Sequence, residues 1–283
     1  MYISEPVVGI GLGSEYGKVT RTAILNAGGL ESLIRINDTV VIKPNLVKPS
    51  LTNEAVTTDY RVVQEVADLV KQCGAGKIIV AEASPFGNVF EAAKYNELSG
   101  VTLFNMDDCK EEDCYRLKPE GSLTNQDLHI PRIYMDADVV IGVAKLKTHN
   151  EAGVTLSLKN SVGVPPTSFY GTGTKLKLHQ WGLMEAIVDI NKIRKPDFAV
   201  IDGIIGGEGD GPLLVRPVHS NIVLAGTDPV AVDTVALDFM GFTLEEVSHV
   251  KLAAREGLGI ADLNQIRIIG ADTNFKKMSF QRY

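Results

Sequence analysis

Cysteine is scarce in this chain: its 283 residues hold three, Cys73, Cys109 and Cys114. Three thiols make no even disulfide framework and suit a reducing cytoplasm, which is the expected location. They also fall short of the four ligands an iron–sulfur cluster ordinarily takes, so no built-in cluster is expected. Cys109 and Cys114 sit in the acidic stretch D-D-C-K-E-E-D-C, which reads as an exposed loop with two incidental thiols. Aromatic residues make up only 6% and do not interleave with basic ones, as a stacking platform for single strands requires. A basic surplus is missing too. The net charge of −7 argues against nucleic acid as a partner. No apolar run approaches the roughly 18 residues of a membrane span, so no membrane association is expected. The start, M-Y-I-S-E-P-V-V-G-I, lacks a basic segment ahead of a long apolar one and does not read as a signal peptide.

What is present is an alternation of short apolar runs and helical patterns. V-V-G-I, T-V-V-I-K-P, K-I-I-V-A-E and V-T-L-F-N read as strands. Between them, Y-R-V-V-Q-E-V-A-D-L-V-K-Q has apolar residues three and four apart behind a capping Asp59, and V-F-E-A-A-K-Y-N-E-L, after the turn S-P-F-G-N, reads as a second helix. Strand–helix–strand order points to an α/β fold with a largely parallel sheet and flanking helices. Residues 106–132 are polar and irregular, with room for a hairpin. D-V-V-I-G-V-A is the next strand, V-G-V-P-P-T-S-F-Y-G-T-G-T a long loop with the character of a lid, and W-G-L-M-E-A-I-V-D-I-N-K-I a helix. D-F-A-V-I-D-G is a strand ending on Asp202, G-G-E-G-D-G-P a loop, and N-I-V-L-A-G a strand. A helix follows with Asp228 as cap and Pro229 in its first position, then a shorter helix and the strand I-R-I-I-G. The length allows one α/β unit or two lobes, about 1–135 and 136–283, with a cleft between them.

Ligands of open parallel sheets bind beyond the carboxyl ends of the strands. Lys43 and Asn45, Glu82, Lys145 and Asp202 all follow such runs. In the stretch after Asp138, Lys145 and Lys147 share one face of an extended chain, and His149 continues the alternation. Lysine there offers charge and donors to a carboxylate or phosphate, and histidine can move a proton near neutral pH. Lys159 and Asn160 come ten and eleven residues later. A lysine in that place binds an oxyanion, forms an imine or acts as a base once burial lowers its pKa. The expected catalytic residues are therefore His149, Lys159 and Lys147, with Lys43, Asn45, Lys145 and Asn160 binding a small anionic molecule. His179 and Asp202 are the expected ligands of a divalent metal, were one held. The plain alternative is a solvated basic edge. G-I-G-L-G lacks the full dinucleotide spacing, because Tyr16 occupies the third glycine position. Glu208 and Asp210, in the Gly-rich loop, suit a metal ion or an exposed turn, the turn being the safer reading. Asp233 reads as a buried acceptor.

V-V-I-K-P-N, A-D-V-V-I-G-V-A-K-L-K-T-H, L-K-N-S-V-G, V-I-D-G-I-I-G-G-E-G-D-G-P and A-G-T-D-P-V-A-V-D, in that order, resemble the family known as domain of unknown function 362. Some members carry ferredoxin-like modules. This sequence lacks their cysteine clusters, so the resemblance implies at most a separate ferredoxin-like partner. A fainter resemblance is to nickel-pincer lactate racemase relatives. It would make His149 the catalytic or cofactor-contacting imidazole, Lys159 the lysine that holds the cofactor, and His179 the metal-binding histidine. Thr148 stands where that pattern has proline and Leu158 where it has arginine, and the glycines before the lysine are absent. What carries over is a shared pocket geometry, without the nickel cofactor or the racemase activity. The function expected is thus an isomerase-like or other Lys/His-dependent enzyme acting on a small anion. The alternative is a metal- or cofactor-binding module that serves a separate redox partner without turnover.

Overall fold

The computed structural model describes residues 5–48, 55–84, 89–270 and 275–283, with backbone alone at 172–174. The chain opens with β1 (Val7–Leu12), α1 (Tyr16–Asn26), β2 (Thr39–Pro44), α2 (Tyr60–Gln72), β3 (Lys77–Glu82) and β4 (Thr102–Asn105). A side hairpin of β5 (Cys114–Leu117) and β6 (Leu128–Pro131) leads into the short α3 (Arg132–Met135). Then come β7 (Val139–His149), β8 (Gly153–Thr155), α4 (Ser157–Asn160), α5 (Thr172–Gln180), α6 (Leu183–Arg194) and β9 (Phe198–Asp210). The chain ends with β10 (Leu214–Val218), β11 (Ile222–Gly226), α7 (Pro229–Met240), α8 (Ser248–Arg255) and β12 (Arg267–Ile269).

One sheet takes strands from both halves of the chain, in the order β12-β1-β11-β9-β7-β2-β3-β4, with β10 added to β9 and β8 to β7. Along that path β11 alone runs against its neighbours, so the sheet is mostly parallel. Alternation along each strand divides the apolar side chains between two faces. Val40, Ile42, Val80, Ile141 and Val143 pack with Val19, Ile24, Val63 and Val66 of α1 and α2. Val41, Ile79, Val140, Ala144 and Leu146 pack with Ile187, Val232, Ala236 and Val250 of α6, α7 and α8. β7, in the middle, is buried at all eleven positions. Caps fix the two main helices: the Asp59 carboxylate accepts the Arg61 N–H at the start of α2, and Asp228 accepts those of Val230 and Ala231, with Pro229 in the first turn of α7.

Three segments depart from the sequence reading. Residues 89–98 form a turn and a 3₁₀ turn at Tyr95–Glu97 instead of a helix; Lys94 takes a left-handed φ of 61°, and the Tyr95 ring is drawn into the core with its hydroxyl donating to Thr58 O at 3.1 Å. A tertiary anchor thus overrides a helical pattern. Residues 85–88 of the preceding S-P-F-G-N turn lie outside those described. The long loop of residues 162–174 is largely helical turns, with α5 starting at Thr172. G-G-E-G-D-G-P is mostly strand, pairing with β10 from Gly206↔Val218 to Asp210↔Leu214. The helix α1 carries only a weak apolar pattern in the sequence, with Val19, Thr20, Ala23 and Ile24 buried. It lies so close to β1 that a Cβ on Gly11 would meet Val19 O at 2.1 Å, so the glycines of G-I-G-L-G serve packing.

Candidate functional site

After β2 the chain moves outward to β3 and β4, then returns to set β7 on the other side of β2. Parallel sheets open a crevice at such a reversal, beyond the strands' carboxyl ends. Lys43 from β2 and Glu82 from β3 reach this crevice, as do Lys145, Lys147 and His149 from β7 and Asp202 from β9. Between Lys145 and Lys147 the register against β9 jumps from Asp202 to Gly207. Across that bulge the two lysines meet different fates.

Lys145 lies 2.8 Å from Asp202, and both are fully buried. Asp202 also accepts the backbone N–H groups of Asp59 and Ile204, at 2.9 and 3.3 Å. Lys43 sits 2.9 and 3.0 Å from the two oxygens of Glu82 and donates further to Pro44 O and Asn160 Oδ1. Burial lowers the Lys43 pKa, and Glu82 offsets this in part. Gly163 lies directly over this pair: a Cβ there would stand 2.2 Å from Glu82 Oε1 and 2.6 Å from Lys43 Nζ. Lys43 and Lys145, expected to meet the anion, are therefore each engaged by a buried carboxylate. Asp202, expected on a metal, is held by Lys145 and two backbone donors.

Beside these pairs lies a cavity of about 630 Å³. Its polar lining includes Asn45, Glu82, Lys147, His149, Glu151, Lys159, Asn160, Lys175, His179 and Asp210. Lys147 is fully buried, donates to Val56 O at 2.6 Å and Pro212 O at 3.2 Å, and has a pKa held well below the usual lysine range by burial and by Lys159 and Lys145. Lys175, which the sequence reading passed over, donates to Ala83 O and Val162 O at 3.0 and 2.8 Å, and burial brings its pKa down to about 7. Lys159 is different. Among the described residues no acceptor meets its ammonium, and burial lowers its pKa to about 8 against the pull of Glu151. Burial first, then Lys159 and Lys147, press the His149 pKa down to about 2. Its Nδ1 accepts the N–H groups of Glu151 and Ala152 at 3.2 and 3.1 Å, which assigns the proton of the neutral ring to Nε2. The expected proton shuttling by His149 near neutral pH gives way to a neutral N–H donor.

The turn that carries Lys159 is fixed from two sides. Asp233 of α7 accepts the N–H groups of Ser157 and Leu158 at 2.7 and 3.0 Å, and Asn191 of α6 donates to Leu158 O at 3.1 Å. Burial raises the Asp233 pKa to about 7, although these N–H groups pull it back. Asp233→Ala strips two buried donors of their acceptor and is expected to cost about 2–4 kcal/mol. A melting curve should show that loss, with Asp233→Asn, which keeps one acceptor oxygen, falling between. An alanine variant that melts with the wild type would refute the capping role.

His179 Nδ1 lies 2.6 Å from Glu151 Oε2, well apart in partnership from Asp202. Among the described residues, no three His, Cys, Asp or Glu side chains converge as a metal site. Cys109 and Cys114 prove buried rather than exposed, and burial holds their thiols protonated, with pKa values up to about 12 and about 11. No helix among the described residues is long and apolar enough to cross a membrane.

Residues 40–238 match the family model described as domain of unknown function 362. The chain belongs to this family. The matched span takes in every cavity residue named above, so the cavity lies within the domain of unknown function 362 itself. A thylakoid-associated protein of Synechocystis is 29% identical over 250 residues, covering 85% of this chain and 74% of that protein. Among solved structures, the lactate racemase apoprotein of Thermoanaerobacterium thermosaccharolyticum aligns at 12% identity with a TM-score of 0.48, over 70% of this chain and 50% of that one. A protein of Thermotoga maritima aligns at 14% identity with a TM-score of 0.42, over 80% of this chain and 56% of that one. The chain thus spans about half the length of both solved proteins.

Proposed function

We propose that the cavity takes a small carboxylate or phosphate and that Lys159 performs acid–base or nucleophilic chemistry on it. The observation that carries this reading is the Lys159 ammonium, which lines a cavity of about 630 Å³ and meets no acceptor among the described residues. Lys147 and Lys175 support it, because their Nζ groups rest on backbone carbonyls rather than carboxylates, so an entering anion draws protons onto them without displacing a counter-ion. His149 adds the Nε2–H donor to the same cavity. A lysine with a pKa of about 8 exists in both forms near neutral pH, as a group that must give and take protons requires.

An entering anion favours the protonated lysines, so binding is linked to proton uptake. At pH 8, about half of Lys159 and most of Lys175 stand unprotonated. Calorimetric titration with oxalate or inorganic phosphate, in two buffers of different ionisation enthalpy, should therefore report uptake of about 0.5–1.5 protons per anion bound. Binding with no proton uptake, or equal binding by Lys159→Met, would end this reading.

A further inference from the structure

We infer that the molecule bound in this cavity carries an apolar tail behind its anionic head; this rests on the anion reading above. Lys147, Lys175 and His149 are 0%, 2% and 6% exposed, whereas Leu176 and Leu214, which line the same cavity, are 53% and 73% exposed. The cationic and N–H groups are therefore deep and the two leucines stand at the mouth. Leu213, Val47 and Pro212 extend the apolar lining beside them.

Single exposed leucines are ordinary on protein surfaces. These two are not scattered. Six large apolar side chains are exposed among the described residues, and Leu176 and Leu214 are the two that border the cavity. Each also breaks the pattern of its own element. On β10, Val215 is buried while Leu214 and Arg216 face outward, so Leu214 takes a position that suits a charged residue. On α5, Lys175 and Leu178 are buried and Lys177 is exposed, which leaves Leu176 on the outer side although Lys175, beside it, goes inside. A lysine inside and a leucine outside invert the usual arrangement at the rim of one opening. The two elements lie far apart in sequence, so local composition does not explain why both leucines border one cavity. A ligand with its charge beside Lys147, Lys159 and Lys175 and a chain or ring laid across Leu176 and Leu214 resolves both inversions, by meeting the buried amines and covering the exposed carbon. The cavity volume is in the range of pockets that hold such molecules.

The test is a homologous series: acetate, butanoate, hexanoate and octanoate, each below its micellar concentration, with octyl phosphate and octanol as companions. Affinity should rise about two- to fourfold per added methylene, making octanoate at least about 50-fold tighter than acetate. Leu176→Ser/Leu214→Ser should bring that ratio to within about threefold. Either octanoate or octyl phosphate binding the tighter supports the inference and names the head group. Acetate binding as tightly as octanoate overturns the tail and leaves the anion reading standing. A chain-length gradient that survives in the double serine variant overturns it too, since the tail then lies elsewhere. Octanol binding as tightly as octanoate instead overturns the anionic head, and the reading on which this inference rests.

Discussion

Asp202→Asn destabilises the folded chain by about 3–5 kcal/mol, while Lys145→Met/Asp202→Asn recovers most of that loss. The expectation follows from burial and geometry together. Lys145 and Asp202 are 2.8 Å apart and 1% and 0% exposed, so removing the carboxylate charge leaves an ammonium in a water-free setting. Asparagine keeps an oxygen for the Asp59 N–H and gives up the longer contact to the Ile204 N–H, so the lost charge is the main change. Methionine then takes the place of the stranded lysine at similar volume, and the site becomes neutral. Denaturant midpoints at constant slope measure both steps. If the double variant is no more stable than the single one, the pair is not the reason for the loss.

Lys159→Met abolishes anion binding to within measurement, a loss of at least about 50-fold, while leaving the fold intact. No acceptor among the described residues depends on Lys159, so its removal strands no partner. Truncating one member of a desolvated charge pair typically costs about 2–5 kcal/mol of affinity, which sets this magnitude. The pH profile carries a sign that a structural role would not produce. An anion binds the protonated lysine, so affinity is greatest below the lysine pKa values and falls as pH rises through about 7 for Lys175 and about 8 for Lys159. In Lys159→Met, whatever binding persists at high anion concentration should lose the limb near pH 8 and keep the one near pH 7. A profile that is flat in the wild type, or unchanged in the variant, removes Lys159 from the site.

Much of the fold was legible along the chain. T-V-V-I-K-P, K-I-I-V-A-E and D-V-V-I-G-V-A are apolar on both faces because their strands are covered on both faces, and a strand of that kind reads the same from composition alone. The caps Asp59 and Asp228 bind backbone groups two or three residues away, a range over which sequence and structure are nearly the same thing. The helix expected at residues 89–98 failed for the opposite reason. Its Tyr95 reaches Thr58, 37 positions back, and that contact outweighs a local helical preference.

The site divides along the same line. That lysines and a histidine gather at strand ends followed from strand polarity and a two-residue period. Which of them remains able to meet a ligand did not. Lys43 and Lys145 find carboxylates 39 and 57 positions away, Lys175 reaches a carbonyl 92 positions away, and Lys159 finds no acceptor among the described residues. Along the chain these four residues look alike, each a lysine near apolar neighbours. Secondary structure and capping arise from interactions over a few residues, so the amino-acid order carries them. The charge state and availability of a buried lysine depend on what the sheet register and the bulge at Lys145–Lys147 place beside it, and that is decided only when distant strands pair.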